Sequence, residues 1–267
     1  MLSVLQRTRG AGRIAVVRRD GRTRLATLRE EGAAKLRLPR TVGPAMEAVL
    51  VNTAGGLTDG DRLNWTAEAG AGSALLLTTQ ACEKVYRAAG PPARLHLRLV
   101  ADGNARLAWL PQETILFDRA ALHRGLDVDL AEGADFVACE AVLLGRLAMG
   151  ERIATLDFRD TWRVRVGGGL VHAENLALDG TLPGRSSVLD GHAAFASLLV
   201  VGPRAETLLA PARAILGDAG AVSLTTVAGH QKLVVRMTAP DGLRLRQRLV
   251  PLVAMLQGGR VPKVWTT

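Results

Sequence analysis

Aromatic residues make up only 3% of this 267-residue chain, with a single tyrosine, Tyr86, so aliphatic side chains must fill any core. Lysine is scarce as well: four of the 34 basic residues are Lys and the rest are Arg. The two cysteines, Cys82 and Cys139, supply neither a disulfide framework nor a CxxC pair. They read as small buried hydrophobes, with soft metal ligation as the alternative. The longest apolar run, Leu249 to Leu256, is eight residues and contains Pro251, far short of the roughly 18 needed to cross a bilayer. The apolar core of a secretory signal is also missing from MLSVLQRTRG. These absences point to a soluble, cytoplasmic protein with no membrane role.

What is present is enough for a core. Hydrophobic residues are 48% of the chain and the mean hydropathy is +0.15, which excludes a disordered polymer. No linker, low-complexity tract or internal repeat stands out, so residues 1–267 read as one domain. The net charge of +9 is unevenly placed. Residues 1–40 carry eleven Arg/Lys against Asp20, Glu30 and Glu31, leaving only +1 for the rest. Such a basic segment suits phosphates or an acidic protein. Its sequence, RIAVVRR-DG-RTRLATL, reads as a hairpin about Asp20-Gly21, not a cleaved leader.

Period-two alternation recurs at Leu95–Leu99, Leu126–Leu130 and Trp162–Val166, with charge on the opposite phase. This is the pattern of sheets with one solvated face, and it suggests antiparallel pairing. Ala74–Leu77, Phe136–Leu144 and Phe195–Val201 are more continuously apolar and read as strands buried on both faces. The fold class is therefore mainly β, an antiparallel, sandwich, barrel or β-helix-like body, with two helices in the C-terminal third. The first helix lies within PRAETLLAPARAILG, where Pro211 argues against regularity. The second is DGLRLRQRLVPLVAMLQGG, N-capped by Asp241, with Pro251 expected to kink it.

Common enzyme signatures are missing. There is no GxxxxGK[ST], HExxH or GxSxG, and the five histidines are far apart. Four polar segments remain: NTAGGLTDGDR (52–62), LTTQACEKVYR (77–87), LPQETILFD (110–118) and LLGRLAMGER (143–152). Each alone reads as a strand end or connecting loop. In this order and spacing, and together with the C-terminal RVPKVWTT (260–267), they resemble the UreD (UreH) urease accessory proteins. Asp59 and Cys82 depart from that pattern, where glycine and alanine are expected.

The resemblance implies a β-helix-like chaperone of nickel insertion, not an enzyme. It implies binding to UreF and the GTPase UreG, a higher-order complex with UreF, and docking on apo-urease. It also implies no tightly bound cofactor but nickel in transit. Asp61, Glu140 and Glu174 resemble acidic positions of the family's internal path, where oxygen ligands would hold the ion weakly enough to release it. The alternative for each is a solvated or paired surface carboxylate. Two rival classes stand beside this reading: a β-sandwich metal-dependent enzyme using His123, His172 and the Gly-rich loop, and a nucleic-acid binder using the basic segment.

Overall fold

The computed structural model describes residues 7–41, 43–146, 149–181, 189 and 191–266. From Met46 the chain winds as a flattened helix of strands. β4 (Met46–Asn52), β6 (Ala74–Thr79), β9 (Arg106–Trp109) and β12 (Asp135–Leu144) lie side by side in one layer. β5 (Arg62–Ala69), β8 (Ala93–Ala101), β11 (Ala121–Leu130) and β13 (Thr155–Val166) alternate with them in the other. Each circuit returns to the same layer beside the strand before it, so all these neighbours pair parallel.

Antiparallel strands finish both layers. β1 (Arg9–Arg19) pairs parallel to β5 and antiparallel to β2 (Arg22–Gly32). β14 (Gly169–Thr181) closes the other edge of this seven-stranded sheet against β13. In the larger sheet β3 (Ala34–Arg37) flanks β4, and β15 (Ala194–Val201), β17 (His230–Ala239) and β16 (Gly220–Val227) follow β12. Two short strands, β7 (Glu83–Val85) and β10 (Thr114–Leu116), extend β12 at one end. The mainly β, β-helix-like expectation is met, but the expected antiparallel pairing holds only at the edges. Alternation reports which face is wet, and that signal is identical for either strand direction.

The β1–β2 hairpin turns where the sequence places it. Asp20 and Gly21 both take positive φ, 51° and 72°, the geometry of a two-residue turn that matches strand twist. The basic segment is thus a sheet edge. Both layers point apolar side chains inward, including Trp65, Trp162 and Phe136. Full burial of side chains this large contributes roughly 1.5–3 kcal/mol each.

The outer face of the larger sheet is covered by α1 (Leu209–Leu216) and α2 (Gly242–Leu256), which explains the continuous apolarity of β12 and β15. A 3-10 turn over Glu206–Leu208 leads into α1, placing Pro211 in its first turn, where the missing N–H breaks no helical bond. Asp241 caps α2 by accepting from the Arg244 amide at 2.8 Å, and the helix runs on through Pro251.

Candidate functional site

The interior between the layers is not uniformly apolar. One cluster is built on Leu97, Leu126, Trp162, Phe136 and Leu199, and a second on Leu63, Leu122, Phe158, Val142 and Leu178. Between them each strand contributes a polar residue on its inward phase: Arg124 on β11, Glu140 on β12, Asp160 on β13 and Ser197 on β15. Register aligns them, with Arg124 opposite Asp160 and Glu140 opposite Ser197.

Arg124 ties this layer together across both sheets. Its Nη1 donates to Glu140 Oε2 and, at 3.1 Å, to Thr114 Oγ1, while Nη2 donates to Asp160 Oδ2 at 2.6 Å. Trp109 Nε1 donates to Glu140 Oε1 at 2.7 Å. All three charged residues are buried. Burial opposes the Arg124 charge, but Asp160 and Glu140 outweigh it and hold the guanidinium protonated. Burial pushes Glu140 upward against the opposing pull of Arg124. Arg124 Nε and Asp160 Oδ1 have no hydrogen-bond partner among the described residues.

Glu174, on β14, extends the layer toward solvent. Its Oε1 accepts from Ser197 Oγ at 3.4 Å, and its Oε2 lies 3.1 Å from Arg236 Nη2 and 3.6 Å from His172 Nε2. Among the described residues neither His172 Nε2 nor Glu174 Oε2 completes a hydrogen bond. Burial would raise this carboxyl, yet His172, Arg236 and Ser197 hold it below its ordinary range.

Asp61 sits at the other end, in the Gly-rich loop. It is buried, with Oδ1 accepting from the Thr8 amide at 2.7 Å and Oδ2 from the Thr58 amide at 2.8 Å. Beside it is Glu83, whose Oε1 accepts from Asn52 Nδ2 at 3.0 Å. Burial drives Glu83 up to about 7; Asn52 opposes the rise and Asp61 adds to it. Glu83 pairs in register with Thr114, which contacts Arg124. A polar file therefore runs from Asp61 and Glu83 through Thr114, Arg124 and Glu140 to Ser197, Glu174 and Arg236.

The motifs singled out in the sequence converge around this file. Tyr86 donates to the Gly55 carbonyl at 3.3 Å, and a Cβ at Gly56 (φ 153°) would lie 2.4 Å from the Tyr86 ring. Phe117 meets Tyr86 edge-on at 5.0 Å and Arg146 at 4.6 Å. The C-terminal segment is docked on the larger sheet: Gln112 Nε2 donates to the Val264 carbonyl at 3.0 Å, and Trp265 Nε1 donates to Thr78 Oγ1 at 3.2 Å. Arg246 of α2 joins both, stacking over Trp265 and donating to Glu113 Oε1 at 2.7 Å.

The three sequence-selected carboxylates are all withdrawn from solvent, and Glu140 and Glu174 share one layer. Arg124, Asp160 and Glu83 were not selected. Their signal was available, since Arg124 and Asp160 occupy the apolar phase of alternating strands. His123 and His172 do not meet: His123 faces outward beside Asp157 at 3.1 Å, and His172 is buried inward. Cys139 is buried; Cys82 is partly buried beside Glu113, its thiol pushed up to about 11 by burial and then by Glu113. Among the described residues no three His, Cys, Asp or Glu side chains form a metal-holding group, and no helix is long and apolar enough to cross a membrane. A groove of about 470 Å³ lies on the β1–β2 hairpin, away from the buried carboxylates.

Compared by sequence, the chain that forms this wound two-layer β body falls in one class of protein, the accessory factors of urease. The UreD urease accessory protein family model matches residues 8–266. The chain is 53% identical over 265 residues to the urease accessory protein UreD of Rhizobium etli, covering 97% of this chain and 96% of that protein. It is 52% identical over 264 residues to UreD of Agrobacterium fabrum, covering 97% and 92%. With urease accessory protein UreD 1 of Brucella abortus the figures are 50% over 266 residues, 98% and 95%. The chain belongs to the UreD urease accessory protein family, and that membership implies a role in urease maturation.

Proposed function

We propose that the chain is a non-catalytic, cytoplasmic chaperone that joins UreF and UreG in a higher-order complex and passes nickel to apo-urease. The observation that supports this reading is the file of buried carboxylates from Asp61 through Glu140 to Glu174. Charged groups are rarely withdrawn from water without a task or a partner. A path for a divalent cation needs oxygen donors that offset desolvation but release the ion. Nickel is cargo here, and GTP chemistry belongs to UreG, in keeping with the missing phosphate-binding loop.

In this reading Arg124 is the resident cation of the file. It neutralises Glu140 and Asp160 when no metal passes, and its Nη contacts are the ones an entering dication displaces electrostatically. Glu174, paired with exposed Arg236, marks one end; Asp61, under the Gly-rich loop, marks the other.

The test is reconstitution of apo-urease with UreF, UreG and the Asp61→Ala/Glu140→Ala/Glu174→Ala variant, beside a pull-down of the complex. Lost urease activity and nickel content with retained assembly is the expected result. Normal activation removes these residues from the path. Lost activation together with lost assembly assigns them to folding or an interface instead.

A further inference from the structure

The outer face of the seven-stranded sheet carries a row of positive charge set by strand register. Arg9 is opposite Arg62, Arg62 opposite Arg94, Arg94 opposite His123, and His123 opposite Arg159. The four arginines are exposed. Adjacent strands stand about 4.8 Å apart, and like charges directly opposite one another destabilise a sheet.

The same face shows how such charges are otherwise handled. Further along the same strands, Arg13 pairs with Glu68 at 2.8 Å, Arg98 with Asp129 at 3.0 Å, and Arg163 with Asn175 at 2.7 Å. In the first row Asp157 lies 3.1 Å from His123 and has a looser contact with Arg159 at 3.5 Å. Arg9, Arg62 and Arg94 have no side-chain partner among the described residues. Their repulsion is left uncompensated, unlike the charges of Arg13 and Arg98 on the same face.

We propose that this row is a docking surface for an acidic α-helix of a partner protein. Five strands span four intervals, about 19 Å. A helix presents one residue per three to four along a single face, about 5.3 Å apart, or about 21 Å over four intervals. Acidic residues at that spacing meet the arginines nearly one to one, whereas alternate residues of an extended strand, about 6.7 Å apart, drift out of step. Nucleic acid fits less well. No Phe, Tyr or Trp side chain stands on this phase of β1, β5, β8, β11 or β13 to stack on a base. A polyanion wider than a helix would also lie against Glu68, Asp127 and Asp129. Of the eleven basic residues in 1–40, Arg9 alone belongs to the row.

The experiment measures binding of the full chain to a labelled helical peptide with Glu on one face every three or four residues. A peptide of the same composition with Glu spread around the helix, and single- and double-stranded DNA oligomers, serve as comparisons at matched salt. The registered peptide should bind tightest, and affinity should fall as salt rises. Arg62→Glu/Arg94→Glu should lose about tenfold or more, with unchanged circular dichroism. Arg62→Gln/Arg94→Gln should lose less, and Arg98→Gln should leave binding unchanged. Failure to bind, equal binding of the two peptides, an undiminished double variant, or tighter binding of DNA would each overturn the proposal.

Discussion

Strand β11 carries charge on both of its faces, and the two sets are treated differently. Arg124 points between the layers, is buried, and is met by Glu140, Asp160 and Thr114. Asp129, on the opposite phase, lies against solvent and shares one contact with Arg98. Inside, a charge persists only because its partners converge from three other strands, so each member depends on the rest. Outside, water does most of that work, and pairs are local and replaceable. The interior layer is consequently costly to alter, and the outer face is free to vary its charge for docking.

Breaking the interior set should give the largest effect. Arg124→Ala leaves Glu140 and Asp160 buried without their counter-ion and should destabilise the fold by about 3–5 kcal/mol, read from denaturant unfolding. Glu83 sharpens the comparison through pH. Burial raises its carboxyl from 4.5 to about 7, so the folded chain holds that proton more tightly than the unfolded one. The contribution to stability is full below about pH 4.5 and is lost as pH rises to about 7, by up to about 1.4 kcal/mol per pH unit. Glu83→Gln should flatten that part of the stability profile; an unchanged slope would contradict the assignment. Asp241→Ala removes a single exposed cap bond from α2 and should cost about 1 kcal/mol. Asp129→Ala, which breaks an exposed pair with Arg98, should change stability by less than about 1 kcal/mol.

Much of the architecture is legible in local pattern. The Asp20-Gly21 turn, the alternating strands and the Asp241 cap each depend on neighbours in sequence. Strand direction is not legible this way, because it is fixed by partners 28–53 residues away, such as Arg62 with Arg94 and Arg9 with Arg62. The absence of a visible repeat has the same cause: these circuits share a path but differ in length and residues. At the candidate site, Asp61 and Glu174 are legible only through family resemblance. Arg124, Asp160 and Glu140 carry a physical signal of their own, namely charge on the inward phase of strands such as Leu156-Phe158-Asp160-Trp162. Their convergence requires the winding of the chain, which no local window contains.

The proposed passage of nickel by way of the Glu140 layer is open to a direct measurement of nickel transfer. Radiolabelled nickel would be followed from the assembled complex into apo-urease, with wild type compared to Glu140→Gln. This substitution keeps the side chain's size and the acceptor for Trp109 but removes the negative charge. At equal assembly, transfer by the variant should be slower and less complete. Transfer at the wild-type rate and yield would contradict it.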